Sequence, residues 1–159
     1  MKEVELIGDM LTQTFDGRAW HGPSFMDVLK DVDKVEASER PIKARHTIWE
    51  IVNHCAYWME VVTAAFLNEK IPDIKSTDDW PKMGKTDEDW IRAQDRLKNA
   101  YEKLVGSLKD LNEALLAKKI HGSYNGRSYT TTFRRILHGI SDHNTYHAGQ
   151  IAILRKKTA

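Results

Sequence analysis

The chain has one cysteine, Cys55. A single thiol excludes an intrachain disulfide and fits a reducing compartment. Proline is also scarce. Pro23, Pro41, Pro72 and Pro81 all fall in the first half, so everything after residue 81 lacks the residue that most often stops a helix. No apolar run approaches the ~20 residues of a membrane span. Glu3, Glu5 and Asp9 interrupt the stretch where a signal peptide is apolar. The expectation is a cytoplasmic protein with no membrane partner. Charge of one sign is missing as well: 24 Lys and Arg stand against 23 Asp and Glu, a net +1. That balance lacks the basic excess of a dedicated nucleic-acid binder. There is no internal repeat, no low-complexity tract, and no G-x-S-x-G, P-loop or dinucleotide fingerprint.

What is present is a folded-protein composition, 41% apolar and 30% charged over 159 residues. That is about one domain's length, and residues 1–159 are expected to form a single domain. Apolar periodicity predicts four long helices. The first covers Val4–Phe15, with Leu6, Met10, Leu11, Thr14 and Phe15 as its inward face. A short helix follows Pro23, and the polar run Lys34–Arg45 reads as a connection. The second long helix runs from Thr47 to Glu69, with Thr47 and Glu50 as a capping box. It carries two adjacent stripes: Ile51, His54, Trp58, Val61 and Ala65 beside Ile48, Val52, Cys55, Met59, Val62 and Phe66. A helix apolar over so wide an arc is largely buried.

Residues 70–85 read as irregular. Sixteen residues at ~3.3 Å each reach roughly 50 Å, against about 35 Å for a 23-residue helix, so the flanking helices need not be antiparallel. The third helix is expected from Thr86 to about Lys118, and the fourth from Thr130 or Thr131 to Arg155. Ser123–Tyr129 reads as at most a small turn excursion. With no convincing strand pattern, the expected class is an all-α bundle.

The seven histidines carry the chemistry. His143 and His147 are spaced i, i+4, which lets two imidazoles reach one ion from a single helix. Both interrupt the apolar row Phe133, Ile136, Ile140, Ile151 and Leu154. His54 sits likewise in the inward stripe of the second helix. Three inward histidines would leave coordination positions open, the mark of a catalytic metal site. A hydrogen-bonded core pair is the competing reading, and periodicity alone does not bring His54 to the other two. His21 and His46 lie at helix ends, His121 lies in a loop, and His138 points about 140° from His143. No Glu precedes these histidines by three, which excludes a di-iron carboxylate motif. Asp142 points away from His143, and Cys55 reads as a small buried hydrophobe. Trp58 is placed to line a pocket wall.

The stretches Thr47–Trp58 and Leu137–Leu154, the latter containing H-x-x-x-H-x-G-Q-I, resemble the DinB/YfiT-like superfamily. The Asp78–Pro81 segment resembles the acidic-aromatic-proline connection common there. The resemblance implies a four-helix bundle of up-down-down-up order with a long crossover between helices two and three. It implies a divalent metal held by His54, His143 and His147, and frequent homodimers. Some relatives are transferases or isomerases that use a low-molecular-weight thiol such as bacillithiol, mycothiol or glutathione. Ile153 beside Leu154 is the kind of extra apolar residue a dimer would cover.

Three functions stay open at this stage. One is a metal-dependent, thiol-using transferase acting on a small electrophilic substrate, with Gln150 supporting His147 and Gly149 permitting close helix packing or substrate approach. The others are a metal-dependent hydrolase and a non-catalytic, stress-related metal-binding protein. Imidazole ligands suit zinc, nickel, iron or copper.

Overall fold

The computed structural model describes residues 2–68, 70–109 and 111–158. It is mostly helical, with a small sheet. In chain order the elements are α1 (Glu3–Asp16), α2 (Phe25–Leu29), α3 (Lys34–Ser38), α4 (Ile48–Asn68), β1 (Asp73–Ile74), α5 (Ser76–Asp79), α6 (Asp87–Leu108), a 3₁₀ turn (Glu113–Ala117), β2 (Lys119–Tyr124), β3 (Arg127–Thr132) and α7 (Phe133–Thr158). Among the described residues no helix is long and apolar enough to cross a membrane.

The helix starts follow from side-chain capping. Thr47 Oγ1 accepts from the Glu50 amide at 3.1 Å and Glu50 Oε2 accepts from the Thr47 amide at 2.8 Å, the reciprocal pair the sequence predicts. Thr86 and Asp89 repeat the arrangement at α6. The predicted end of the second long helix, Glu69, lies outside the described residues. α4 is buried nearly all round, from Ile48 and Trp49 to Ala65. It packs against both α6 and α7, while α1 packs against the same two helices. One core cluster runs through these four helices, and a second (Val61, Ala65, Ile71, Ile74, Ile120 and Phe133) lies beneath the sheet.

The structure corrects several sequence expectations. α1 buries Val4, Ile7, Leu11 and Phe15, and Leu6 is 51% exposed. Two overlapping i, i+4 rows exist in this segment, and only packing chooses between them. The polar run Lys34–Arg45 contains α3, which starts because Asp33 Oδ1 accepts from the Glu36 amide at 2.8 Å. α6 stops at Leu108, well before Lys118, and the rest of that stretch holds the 3₁₀ turn, with Asp110 outside the described residues.

The largest correction is the sheet. β2 and β3 form an antiparallel hairpin from Lys119↔Thr132 to Tyr124↔Arg127, and β1 adds in parallel on β2. The turn is Asn125–Gly126, both at positive φ (48° and 74°), the signature that a two-residue hairpin requires. The asparagine also ties the crossover down: its amide donates to Ile74 O and its Oδ1 accepts from the Ser76 amide, both at 2.8 Å. β3 is Thr-rich and mostly exposed, so it shows no apolar alternation.

The burial phase of α1 is testable. Leu11→Ala is expected to cost about 2–5 kcal/mol by urea unfolding, and Leu6→Ala about 0.5 kcal/mol or less. Equal losses would put the helix in the wrong rotation.

Candidate metal centre

α4 supplies His54 and α7 supplies His143 and His147 to one point in the interior. One ring nitrogen from each lies within 4.8 Å of the other two. His54 and His147 are each 5% exposed, on helices whose buried residues include Ile51, Val61, Ile140 and Ile151. Two consecutive turns of α7 and one face of α4 deliver the rings because each helix is held by its apolar neighbours, not by the histidines themselves.

Each ring is oriented by an oxygen at Nδ1. His54 Nδ1 donates to the backbone carbonyl of Asp79 at 2.6 Å and lies 3.2 Å from its Oδ1. His147 Nδ1 donates to Gln150 Oε1 at 2.7 Å, and His143 Nδ1 to Asn144 Oδ1 at 3.3 Å. With the proton at Nδ1, as the Asp79 carbonyl requires of His54, Nε2 carries a lone pair. The Nε2 atoms of His54 and His143 are 2.9 Å apart. That distance fits one ring donating to the other in the metal-free protein, or both lone pairs directed at a shared cation. The donor set therefore fits a divalent ion: three neutral nitrogens, each with its second nitrogen secured by a hydrogen bond.

Electrostatics point the same way. Burial pushes His143 down to about 3, with the His147 and His54 rings adding to the effect. Burial pushes His147 down to about 4 against the opposing hydrogen bond to Gln150. Burial also lowers His54, against the pull of Asp79. All three rings are uncharged near neutral pH, the form that binds metal.

Asp79, which the sequence reading left without a role, sits at the centre of a buried network. Its Oδ1 accepts from Trp58 Nε1 at 2.6 Å and its Oδ2 from the Tyr124 hydroxyl at 3.0 Å. Trp80 stacks on His54 with ring centres 3.9 Å apart, and His46 stacks on Trp80 at 3.4 Å. His46 also faces Glu50, with Nδ1 3.4 Å from Oε2. The Asp78–Pro81 motif was visible in the sequence. Its contact with a histidine 25 residues earlier was not, because no local periodicity encodes it.

The other sequence candidates fall outside the cluster. Trp58 stands edge-on to both His54 and His143. His121 bonds Thr130 Oγ1 at 3.0 Å in the hairpin, and His138 lies 3.9 Å from Glu3. Cys55 is fully buried, and burial pushes its thiol well up, away from nucleophilic chemistry. A Cβ on Gly149 would meet no atom within 4 Å, so close helix packing is not its role.

Two clefts flank the three rings. One, about 500 Å³, is lined by His143 together with Trp58, Ile136, Gly139, Ile140 and Arg135. The other, about 320 Å³, is lined by His147 together with Arg45, His46, Trp80, Tyr146 and Gln150. Among the described residues no carboxylate lines either one.

The depressed imidazoles make the metal-free protein sensitive to mild acid. Unfolded histidines titrate near 6.5, and the folded rings only near 3 to 4. In between, the unfolded chain binds more protons, so stability falls as pH falls through that window. Metal-free protein is expected to be flat in melting temperature above about pH 6.5 and to lose stability steadily from there to about pH 5, still above the carboxylate range. A His143→Gln/His147→Gln variant should lose most of that slope. A flat wild-type profile over the same interval would contradict the buried neutral rings.

The model of the DinB superfamily matches residues 20–151, a span that contains all three histidines, Asp79 and Gln150. Neither the curated proteins nor the solved structures contain a significant match to the chain. With five-sixths of its length inside that match, the chain belongs to the DinB superfamily.

Proposed function

We propose that this chain is a metal-dependent enzyme in which His54, His143 and His147 hold one divalent ion, and that it transfers a low-molecular-weight thiol to a small electrophilic substrate. The observation that carries the reading is the convergence of one ring nitrogen from each of three histidines, each ring with an oxygen within hydrogen-bond distance of its Nδ1. A divalent ion bound by neutral ligands keeps its full charge and supplies Lewis acidity that lowers the pKa of a bound thiol or water. Zinc, nickel and iron all suit such imidazoles.

The chain's own residues set the conditions. Asp79 and Gln150 fix the planes of His54 and His147, and Asn144 that of His143. Trp80 covers one face of His54, and Trp58 stands edge-on beside His54 and His143. Cys55 is sealed in the core, so a thiol reactant comes from outside the chain. The bundle order that accompanies this reading is up-down-down-up for α1, α4, α6 and α7, with residues 70–85 as the crossover. The packing of α1 and α4 each against both α6 and α7 supports it.

Untagged protein purified without a metal column is expected to contain about one divalent ion per chain by mass spectrometry. His54→Ala, His143→Ala and His147→Ala should each lose it. With a generic electrophile, turnover should stop when thiols are omitted. Absence of stoichiometric metal removes the metalloenzyme reading, and thiol-independent turnover replaces transfer with hydrolysis.

The second proposed partner is another copy of the chain. Leu6 and Ile153 are 51% and 57% exposed on α1 and α7, two helices that pack together. Light scattering at micromolar concentration should give the mass of a dimer, and a monomer would rule it out.

A further inference from the structure

Seven of the nine arginines fall into two contrasting groups. Arg40, Arg92, Arg96, Arg134 and Arg155 pair with Glu50, Asp89, Glu60, Glu3 and Glu36. Arg45 and Arg135 form no ion pair among the described residues, and each lines one of the two clefts beside the imidazoles. A guanidinium left unpaired in a cleft with no carboxylate offers a planar fork for an anion from outside.

The His143 cleft carries this further. Arg135, Gly139 and His143 occupy one row of α7 at steps of four, so they line up along a single helical face. Eight residues place the two ends about 12 Å apart along the axis. The residue between them is a glycine in mid-helix, where glycine is otherwise unfavourable. A Cβ added there would meet no atom within 4 Å, so nothing in the packing demands its smallness. What its bare backbone does is leave the cleft floor open from the guanidinium to the histidine. Ile136 and Ile140 flank the row on α7, and Trp58 and Val62 face it from α4. Tyr129, Thr130 and Thr131 of β3 form the remaining wall, so the helical side of the cleft is apolar, the strand side carries hydroxyls, and Arg135 supplies a cation at one end.

We infer that this cleft binds the electrophilic reactant, and that this reactant is a carboxylate-bearing molecule with an apolar body. Its carboxylate pairs with Arg135, its body lies over Gly139 between Ile140 and Trp58, and its reacting end reaches His143. The inference rests on the proposed function for the meaning of that last contact. The second cleft, on the His147 flank, is then left for the thiol.

The test uses 4-phenylbutyrate as probe and its amide as the uncharged counterpart, titrated by calorimetry into the full chain with metal content measured on the same samples. The carboxylate is expected to bind about tenfold tighter than the amide, the size of one charge-assisted contact. Arg135→Gln should abolish that preference and Arg135→Lys should retain part of it. Gly139→Leu should weaken both ligands about tenfold or more by filling the floor, with an unchanged or higher melting temperature. Gly149→Leu, on the same helix but lining neither cleft, should bind like the parent. Equal affinity for acid and amide, or undiminished binding by Gly139→Leu, overturns the inference, as does no binding at all. Metal content separates the two readings: protein without metal that still prefers the carboxylate sinks only the proposed function, and metal-replete protein without that preference sinks only the subsite.

Discussion

Three uncharged imidazoles inside an apolar helical interior need an acceptor for each N–H, and the way that need is met organises much of this molecule. A buried polar hydrogen without a partner costs on the order of 1–3 kcal/mol. Gln150 and Asn144 meet it from within α7, at i+3 and i+1 from the rings they serve. His54 has no such neighbour on α4. Its acceptor is Asp79, which arrives from the other end of the connection between α4 and α6.

That single demand ties three parts of the fold together. Asp79 is buried, so its own carboxylate also needs donors. Trp58 supplies one from α4 and Tyr124 the other from the end of β2. The hairpin thus has a place in the site, although none of its residues belongs to the histidine cluster. Asn125 continues the chain of support by pinning β1 and the start of α5 through its backbone and side chain. Gly122 lets the Tyr129 ring cross β2, since a Cβ there would lie 2.7 Å from that ring. The sheet covers the second core cluster and forms one wall of the His143 cleft.

The chemistry follows from what surrounds the cluster as much as from the cluster itself. Neutral ligands leave a bound cation's charge intact, and the aromatic cover of Trp58 and Trp80 keeps the dielectric low. The two clefts approach from the His143 and His147 sides, each of mixed lining with one arginine and, among the described residues, no acid. Membership of the DinB superfamily agrees with a helical metal-binding scaffold and leaves the reaction to be read from these side chains.

Local sequence carried those features whose cause lies within one or two helical turns. The caps at Thr47 and Thr86, the all-round burial of α4, the i, i+4 pair His143 and His147, and the inward position of His54 are all of this kind, because a helix repeats every 3.6 residues. The Asn125–Gly126 turn was also written there, but the strands beside it lack apolar alternation and the hairpin was not read from it. The early end of α6 and the choice of Ile7 over Leu6 on α1 needed packing, since two phases of the same periodic pattern were available. The meeting of His54 with the α7 pair, the selection of Asp79 as its partner, and the opening of a cleft over Gly139 were decided only by the tertiary structure. Each joins residues from different elements or depends on what a neighbouring element leaves uncovered, and no one-dimensional spacing records a distance across the core.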